Sequence, residues 1–199
     1  MGEIYITIGR QFGSGGREIG KKVAQALDIP YYDKELLAVA AKESGLSLEF
    51  LRSFDEKHNN SFLYSLVMGH QGFVSAPGAT VDQMAAKAQR DAVRAVADKG
   101  SCVIVGRCAD YILRDKPGLL RVFVWADHDA RIRRVCRRDG VTEKEAEAKL
   151  KAVDKERAAY YNFHTDRKWS AADTYDLCIN SAYHGTDAAA ELILRMVKV

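Results

Sequence analysis

The chain has 199 residues, of which 47% are hydrophobic and 29% are charged, so it can bury a sizeable core and wholesale disorder is excluded. Its formal net charge of +3 is too small to indicate nucleic acid as a partner. No apolar run approaches the roughly 18 residues that cross a bilayer, and the first residues show no signal peptide. The 4 cysteines form no CxxC pair, which favours reduced thiols. We therefore expect a single domain over residues 1–199, cytoplasmic and without a membrane partner.

The first elements predicted along the chain are a strand, a glycine-rich turn and a helix. Residues 4–8 alternate as a strand does, and residues 10–16 are rich in glycine. The helix that follows is indicated by apolar residues at helical spacing, namely Ile19, Val23, Ala24 and Leu27. A short second strand is predicted at 29–32, and Asp33 begins another amphipathic helix.

The pattern changes between residues 44 and about 80. Short helical stretches alternate there with polar segments that contain glycine, which predicts an irregular helical insertion with a mobile loop at 69–79. A long helix is predicted over about 81–98. Residues 101–106 then form a continuous apolar run, which is typical of a strand inside a parallel sheet.

The second half of the chain continues the alternation of strands and helices. A strand at 120–125 leads through Asp127 into an arginine-bearing helix, and Thr142 with Glu145 forms a capping box that opens a long helix. A last strand at 176–180 and a last helix at 186–197 are also predicted. Alternating strands and helices predict an α/β fold with a parallel sheet and ligands at the carboxyl ends of its strands.

The turn at residues 13–16 has the geometry that binds phosphate, because glycines let the backbone approach an anion and the helix N-terminus points at it. It matches neither common nucleotide motif fully. For the dinucleotide motif GxGxxG, Glu18 replaces the third glycine, although Asp33 lies near the place of the ribose-binding acid. For the P-loop motif, Arg10 replaces the first glycine and Gly16 the lysine. A tight turn without a ligand is the third interpretation.

Sequence blocks outside the turn distinguish these interpretations. The blocks are residues 6–20, 29–36, 105–110, 154–161 and 175–181. The residues in these blocks and the order of the blocks resemble those of the cytidylate kinase-like family of P-loop nucleoside monophosphate kinases. The resemblance implies a three-layer P-loop kinase fold with a parallel sheet, a helical acceptor-side insertion at about 44–80 and an arginine-rich lid at about 131–168.

The resemblance also implies ATP with Mg²⁺ as the phosphoryl donor and CMP, dCMP or a related small molecule as the acceptor. The donor-binding residues it implies are Arg10, Gly13, Ser14, Gly15, Gly16, Arg17, Glu18, Asn180 and Ser181. The acceptor-binding residues it implies are Asp33, Arg107 and Asp110. The chain departs from cytidylate kinases where Gly16 replaces the P-loop lysine, Glu18 the hydroxyl on the magnesium side and Val39 an acceptor-side arginine. The magnesium ligands are therefore left open among Ser14, Glu18, Asp33 and water.

Arginines are the candidate catalytic residues, because phosphoryl transfer depends on positive charge around the transferring group. The candidates are Arg17, Arg107, Arg131, Arg134 and Arg157, with Arg138 on the same helical face as Arg131 and Arg134. Arg17 or Arg10 would supply the missing cation of the P-loop, unless Arg17 is only a surface residue. Arg107 would bind the acceptor phosphate or else form an ion pair with Asp110. The remaining arginines would close over the phosphates as a lid or else pair with glutamates at 143–147.

Three functions follow from these residues. The first is a nucleoside monophosphate kinase that uses ATP and a small nucleotide acceptor. The second is a kinase of a non-nucleotide small molecule, which the changed acceptor side favours. The third is a nucleotide-binding sensor without turnover, which the replacement of the lysine by Gly16 favours and the retained Arg107 opposes.

Overall fold

The computed structural model describes residues 2–45, 47–49, 51 and 81–197. The predicted insertion at about 44–80, with its loop at 69–79, therefore lies for the most part outside the described residues. The strands are β1 (Tyr5–Arg10), β2 (Tyr31–Tyr32), β3 (Cys102–Val105), β4 (Leu119–Trp125) and β5 (Leu177–Asn180). The helices are α1 (Gly16–Leu27), α2 (Leu36–Ser44), α3 (Val81–Ala97), α4 (Ala109–Ile112), α5 (His128–Asp139), α6 (Glu143–Thr165) and α7 (Ser181–Val197). No helix within those ranges combines the length and apolar character needed to span a bilayer.

The five strands form one sheet in the order β2-β3-β1-β4-β5, and all neighbouring strands are parallel. Strand β1 lies at the centre, between β3 and β4. Because the strands are parallel, their carboxyl ends meet at one edge, where ligands bind in sheets of this kind. The predicted parallel α/β fold is confirmed.

Side chains of the central strand alternate between two hydrophobic cores, one on each face of the sheet. Tyr5 belongs to the core that includes residues of α2, α3 and α4. Ile6 and Ile8 belong to the opposite core, which includes residues of α1 and α7. The sheet is therefore the middle of three layers, as the sequence predicts.

Two boundaries differ from the sequence predictions. Arg10, predicted in the turn, is the last residue of β1 and pairs with Val124 of β4. The last helix is predicted over residues 186–197, and the helical segment that ends with it already begins at Ser181. It contains Gly185 at φ 76°, a non-helical residue, and this interruption explains why the helical pattern begins late in the sequence.

The predicted capping box at the start of α6 is confirmed. The backbone N–H of Glu145 donates to Thr142 Oγ1 at 3.3 Å, and the N–H of Thr142 donates to Glu145 Oε2 at 2.8 Å. Replacing Thr142 by alanine removes one of these bonds, so we expect Thr142→Ala to lower the free energy of unfolding by about 1 kcal/mol. Urea denaturation measures this loss. Lys144→Ala in the same turn is the control, and an equal loss in both variants would contradict the capping role.

Candidate active site

A cleft of about 1550 Å³ lies at the carboxyl edge of the sheet. It is lined by the turn after β1, the start of α1, the loop between β3 and α4, and the facing side of α6. Among its lining residues are Arg10, Arg17, Arg107, Arg134 and Arg157. The structure thus brings arginines from five places in the sequence to one opening.

The glycine-rich turn is shaped for an anion. Gly13 and Gly15 have φ values of 75° and 81°, in the left-handed region that glycine adopts without strain. Helix α1 begins directly at Gly16, so its first backbone N–H groups have no acceptor within the helix. These N–H groups and the positive end of the helix dipole favour a phosphate at this position.

Helices α5 and α6 hold this turn through a buried ion pair. Arg131 of α5 pairs with Asp154 of α6, and its Nε donates to the carbonyl oxygen of Phe12 at 2.8 Å. Asp154 Oδ1 accepts the backbone N–H of Phe12 at 2.7 Å. Arg134 Nη1 donates to the carbonyl oxygen of Gly13 at 2.7 Å. Two of the four arginines predicted for the lid, Arg131 and Arg134, thus contact the backbone of the turn itself.

Asn180 and Ser181, which the resemblance predicts to bind the donor, connect elements to one another. The hydroxyl of Ser181 donates to the carbonyl oxygen of Ser14, at the tip of the turn. Asn180 Nδ2 donates to Asp127 Oδ1 at 3.2 Å, and Asp127 is the residue that precedes α5. Neither Asn180 nor Ser181 is among the described residues that line the cleft.

Three guanidinium groups gather around Asp33. Arg17 Nε lies 2.6 Å from Asp33 Oδ2, and Arg10 Nη2 lies 3.6 Å from Asp33 Oδ1. Arg157 Nη1 donates to the carbonyl oxygen of Arg10 at 3.0 Å. Burial lowers the pKa of Arg10 to about 10, and burial also holds the pKa of Arg157 well below its ordinary value.

Positive charge therefore exceeds negative charge at this buried position. Arg107 adds to the excess, since its charge is one of the causes that lower the pKa of Arg10. Several cations around one carboxylate are an electrostatic feature of sites that bind anions. A phosphate group would supply the missing negative charge.

Arg107 and Cys108 have the uncommon backbone geometry that marks a constrained turn. Their φ values are 61° and 53°, which non-glycine residues rarely adopt. This conformation turns the chain sharply after β3 and begins α4 at Ala109. Constrained backbone of this kind concentrates at functional sites. It places Arg107 among the lining residues of the cleft.

The model of the cytidylate kinase-like family matches residues 5–183. This chain belongs to the cytidylate kinase-like family. A cytidylate kinase of Pyrococcus horikoshii is 26% identical over 184 residues, which are 90% of this chain and 81% of that protein. The crystal structure of an uncharacterized protein from Eubacterium ventriosum is 35% identical with a TM-score of 0.75, covering 98% of this chain and 99% of that chain.

The fold of this chain is also similar to that of a more distant structure. Shikimate kinase from Bacteroides thetaiotaomicron has a TM-score of 0.53 at 15% identity, covering 98% of this chain and 99% of that chain. At this identity the likeness concerns the fold alone. This chain thus has a P-loop kinase fold. Its membership of the cytidylate kinase-like family supports nucleotide binding and kinase activity on a small molecule.

Other predicted residues of this family member have partners of their own. Glu18 Oε1 accepts the hydroxyl of Thr186 at 2.6 Å and lies 2.8 Å from Lys22 Nζ. The glutamates weighed as partners of the lid arginines bind elsewhere, since Glu145 caps α6 and Glu147 pairs with His128 and Lys151. Arg138 instead pairs with Asp139 at 2.6 Å.

Asp154 is the site residue that the sequence prediction does not include. It contacts the turn from 142 positions away in the sequence. The signal that could have found it is the family block at 154–161, which begins with this aspartate. Phe12 is a second such residue, because it packs against the small core of Val135, Ala146 and Leu150 between α5 and α6.

Asp110 is buried in the lining of the cleft. The hydroxyl of Tyr161 donates to Asp110 Oδ2 at 2.6 Å. Burial raises the pKa of Asp110 above the ordinary value of an aspartate, and this effect exceeds the opposite effect of the Tyr161 hydrogen bond. The fold therefore disfavours the ionised form of Asp110.

This raised pKa predicts that the free energy of unfolding differs between wild type and Asp110→Asn, and that the difference depends on pH. Since the pKa of Asp110 is higher in the folded state, its contribution to stability is complete below the unfolded pKa and is lost as pH rises through the folded pKa. We expect Asp110→Asn to have the higher free energy of unfolding at neutral pH and to lose this advantage below about pH 4. Urea denaturation across this range, with the exposed Asp173→Asn as control, measures the difference. A difference independent of pH would contradict the prediction.

Proposed function

We propose that this chain is an ATP-dependent kinase that transfers the γ-phosphoryl group to CMP, dCMP or a related small phosphorylated acceptor. The proposal rests on one observation. In this P-loop kinase fold, the glycine turn at 13–16, Arg107 and the buried arginines all line one cleft. Membership in the cytidylate kinase-like family and the Pyrococcus horikoshii relative support a cytidine nucleotide as acceptor.

The donor phosphates would bind at the start of α1. Backbone N–H groups of the glycine turn would hold the phosphate oxygens, and arginines around Asp33 would neutralise their charge. An oxygen of the acceptor phosphate then attacks the γ-phosphorus, the bond from this phosphorus to the β–γ bridging oxygen breaks, and ADP leaves. Fixed positive charge along this path stabilises the transition state without any covalent intermediate on the protein.

Magnesium would arrive with ATP. The described residues contain no group of three or more His, Cys, Asp or Glu side chains that could hold a metal ion. Mg²⁺ characteristically keeps several waters and binds through substrate phosphates and one or two carboxylates. A magnesium ion would therefore be held mainly by ATP and water, since Glu18 pairs with Lys22 and Asp33 pairs with Arg17. When bound, the ion would offset phosphate charge.

A non-nucleotide acceptor is the second candidate. Val39 stands where the resemblance leads us to expect an acceptor-side arginine, and it packs against the hydrophobic core that contains Leu36 and Ala40. The acceptor side of this cleft therefore offers one cation fewer for a nucleotide phosphate. This change favours a smaller acceptor more than it favours a sensor, because the arginines around the turn are retained.

ADP formation from ATP and Mg²⁺ tests these functions directly. The assay uses a panel of nucleoside monophosphates together with shikimate and gluconate, and the exposed Arg133→Ala is the control variant. We expect ADP formation that depends on CMP or dCMP and persists in the control. Turnover with a hydroxyl acceptor alone would support the second candidate. ATP binding without turnover on any acceptor would contradict both kinases and favour the sensor.

A further inference from the structure

Gly16 stands at the position of the missing lysine, and its backbone conformation does not itself require a glycine. A Cβ atom at this position would lie 2.7 Å from Cβ and 3.3 Å from Cγ of Arg10. Gly16 is also the first residue of α1, where other residue types are readily accommodated. The side chain of Arg10 therefore occupies the space into which a side chain at residue 16 would extend.

Gly106 leaves room for the other end of the same side chain. It follows β3, and a Cβ atom there would overlap Nη1 of Arg10 and lie 3.0 Å from its Cζ. The side chain of Arg10 thus runs from the end of β1, past the start of α1, to the loop that carries Arg107. Two glycines far apart in the sequence make this path possible.

We propose that Arg10 is the phosphate-binding cation of this P-loop, with cation and glycine exchanged between the end of β1 and the start of α1. This inference rests on the proposed function, because it assigns the residue that binds the β- and γ-phosphates of ATP. Arg10 and Gly16 then form one unit. The chain keeps the positive charge of a P-loop but delivers it from the strand side of the turn.

The partners of Arg10 fit this role. Its side chain is 14% exposed and lines the cleft, and its buried Nε has no hydrogen-bond partner among the described residues. Asp33 lies 3.6 Å from Nη2 and orients the guanidinium without satisfying all of its donors. A guanidinium presents several N–H groups in a plane and can bind two phosphate oxygens at once, as a lysine ammonium does less well.

Arg17 also lines the cleft but differs from Arg10 in burial and in its partner. Its side chain is 49% exposed, and its Nε is already bound to Asp33 at 2.6 Å. Arg17 therefore holds the carboxylate that in turn orients Arg10. Of the two arginines that the sequence leaves open, the buried one at the end of β1 has the geometry of the phosphate ligand.

Moving the positive charge from residue 10 to residue 16 tests the proposed exchange of cation and glycine. Dissociation constants for ATP with Mg²⁺ are measured by calorimetry for wild type, Arg10→Ala, Arg10→Gly, Gly16→Ala, Gly16→Lys and the double variants that combine Arg10→Gly with each change at Gly16. We expect Arg10→Ala to weaken binding about 100-fold, as the loss of charged hydrogen bonds in a buried site does. Gly16→Ala should weaken binding in wild type but not in the Arg10→Gly background, which also lacks the Cβ atom 2.7 Å away. Thermal denaturation checks that each variant folds, and Arg133→Ala is the matched control.

The decisive variant combines both exchanges. Arg10→Gly with Gly16→Lys should bind ATP at least about tenfold more tightly than Arg10→Gly alone, since removal of the whole side chain at residue 10 leaves space for the lysine. Gly16→Lys with Arg10 intact should bind more weakly than wild type. A folded Arg10→Ala with wild-type affinity would overturn the inference and leave the kinase proposal standing. A wild-type protein that binds no ATP would overturn both.

Discussion

Asp154→Ala is expected to lower the free energy of unfolding by about 3–5 kcal/mol and the turnover number at least about 100-fold. Arg131 is 9% exposed in its side chain and loses its carboxylate partner in this variant. The backbone N–H of Phe12 also loses its acceptor, so the turn that binds phosphate loses its link to α6. Urea denaturation and ADP formation measure the two effects.

Two further variants separate the loss of stability caused by an unpaired buried charge from the loss of turnover caused by displacement of the turn. Asp115→Ala removes an aspartate that is 86% exposed beside Arg114 and should change neither quantity. Arg131→Met combined with Asp154→Leu removes both buried charges, so we expect it to recover part of the lost stability but not the turnover. Full turnover in this double variant would contradict the role of Asp154 in positioning the turn.

Arg107→Gly is expected to lower kcat/KM for the acceptor about 100- to 1000-fold while the fold remains intact. The guanidinium that would bind the acceptor phosphate is lost. Because residue 107 has a φ of 61°, glycine is the replacement that this backbone accommodates without strain. We therefore expect the free energy of unfolding to stay equal or to rise by about 1 kcal/mol. Steady-state kinetics and urea denaturation measure the two quantities.

Two further measurements complete the test of Arg107. They are the activity and stability of Arg107→Ala and the affinity of both variants for ATP. Alanine removes the same charge but keeps the cost of a left-handed conformation, so it should match glycine in activity and be less stable. The affinity for ATP should fall much less than the acceptor's kcat/KM in both variants. An unchanged KM for the acceptor would show that Arg107 serves the conformation of the loop and not the acceptor phosphate.

Much of the fold was predictable from local pattern. The alternation at 4–8, the apolar run at 101–106 and the helical spacing after residue 16 each specify an element through side chains close in sequence. The capping box of Thr142 and Glu145 is equally local and is confirmed at 3.3 and 2.8 Å. Alternation of these elements then leaves few arrangements other than a parallel α/β sheet.

The candidate site was predictable only in part. The glycine turn and Arg107 follow strands, and the parallel order of the sheet brings the carboxyl ends of strands together. The sequence could not distinguish Arg10 from Arg17, because both flank the same turn. Only burial and the direction of each side chain separate them, and these depend on Gly106 of another loop.

By itself, the sequence determined the family, the order of strands and helices and the presence of a phosphate-binding turn, since each depends on residues near one another or on blocks in a fixed order. The tertiary structure decided which side chains hold that turn. Asp154 and Ser181 contact it from 142 and 167 positions away. Spacing in sequence carries no information about such contacts, because they exist only where the packing of helices against the sheet edge brings distant side chains within hydrogen-bond distance.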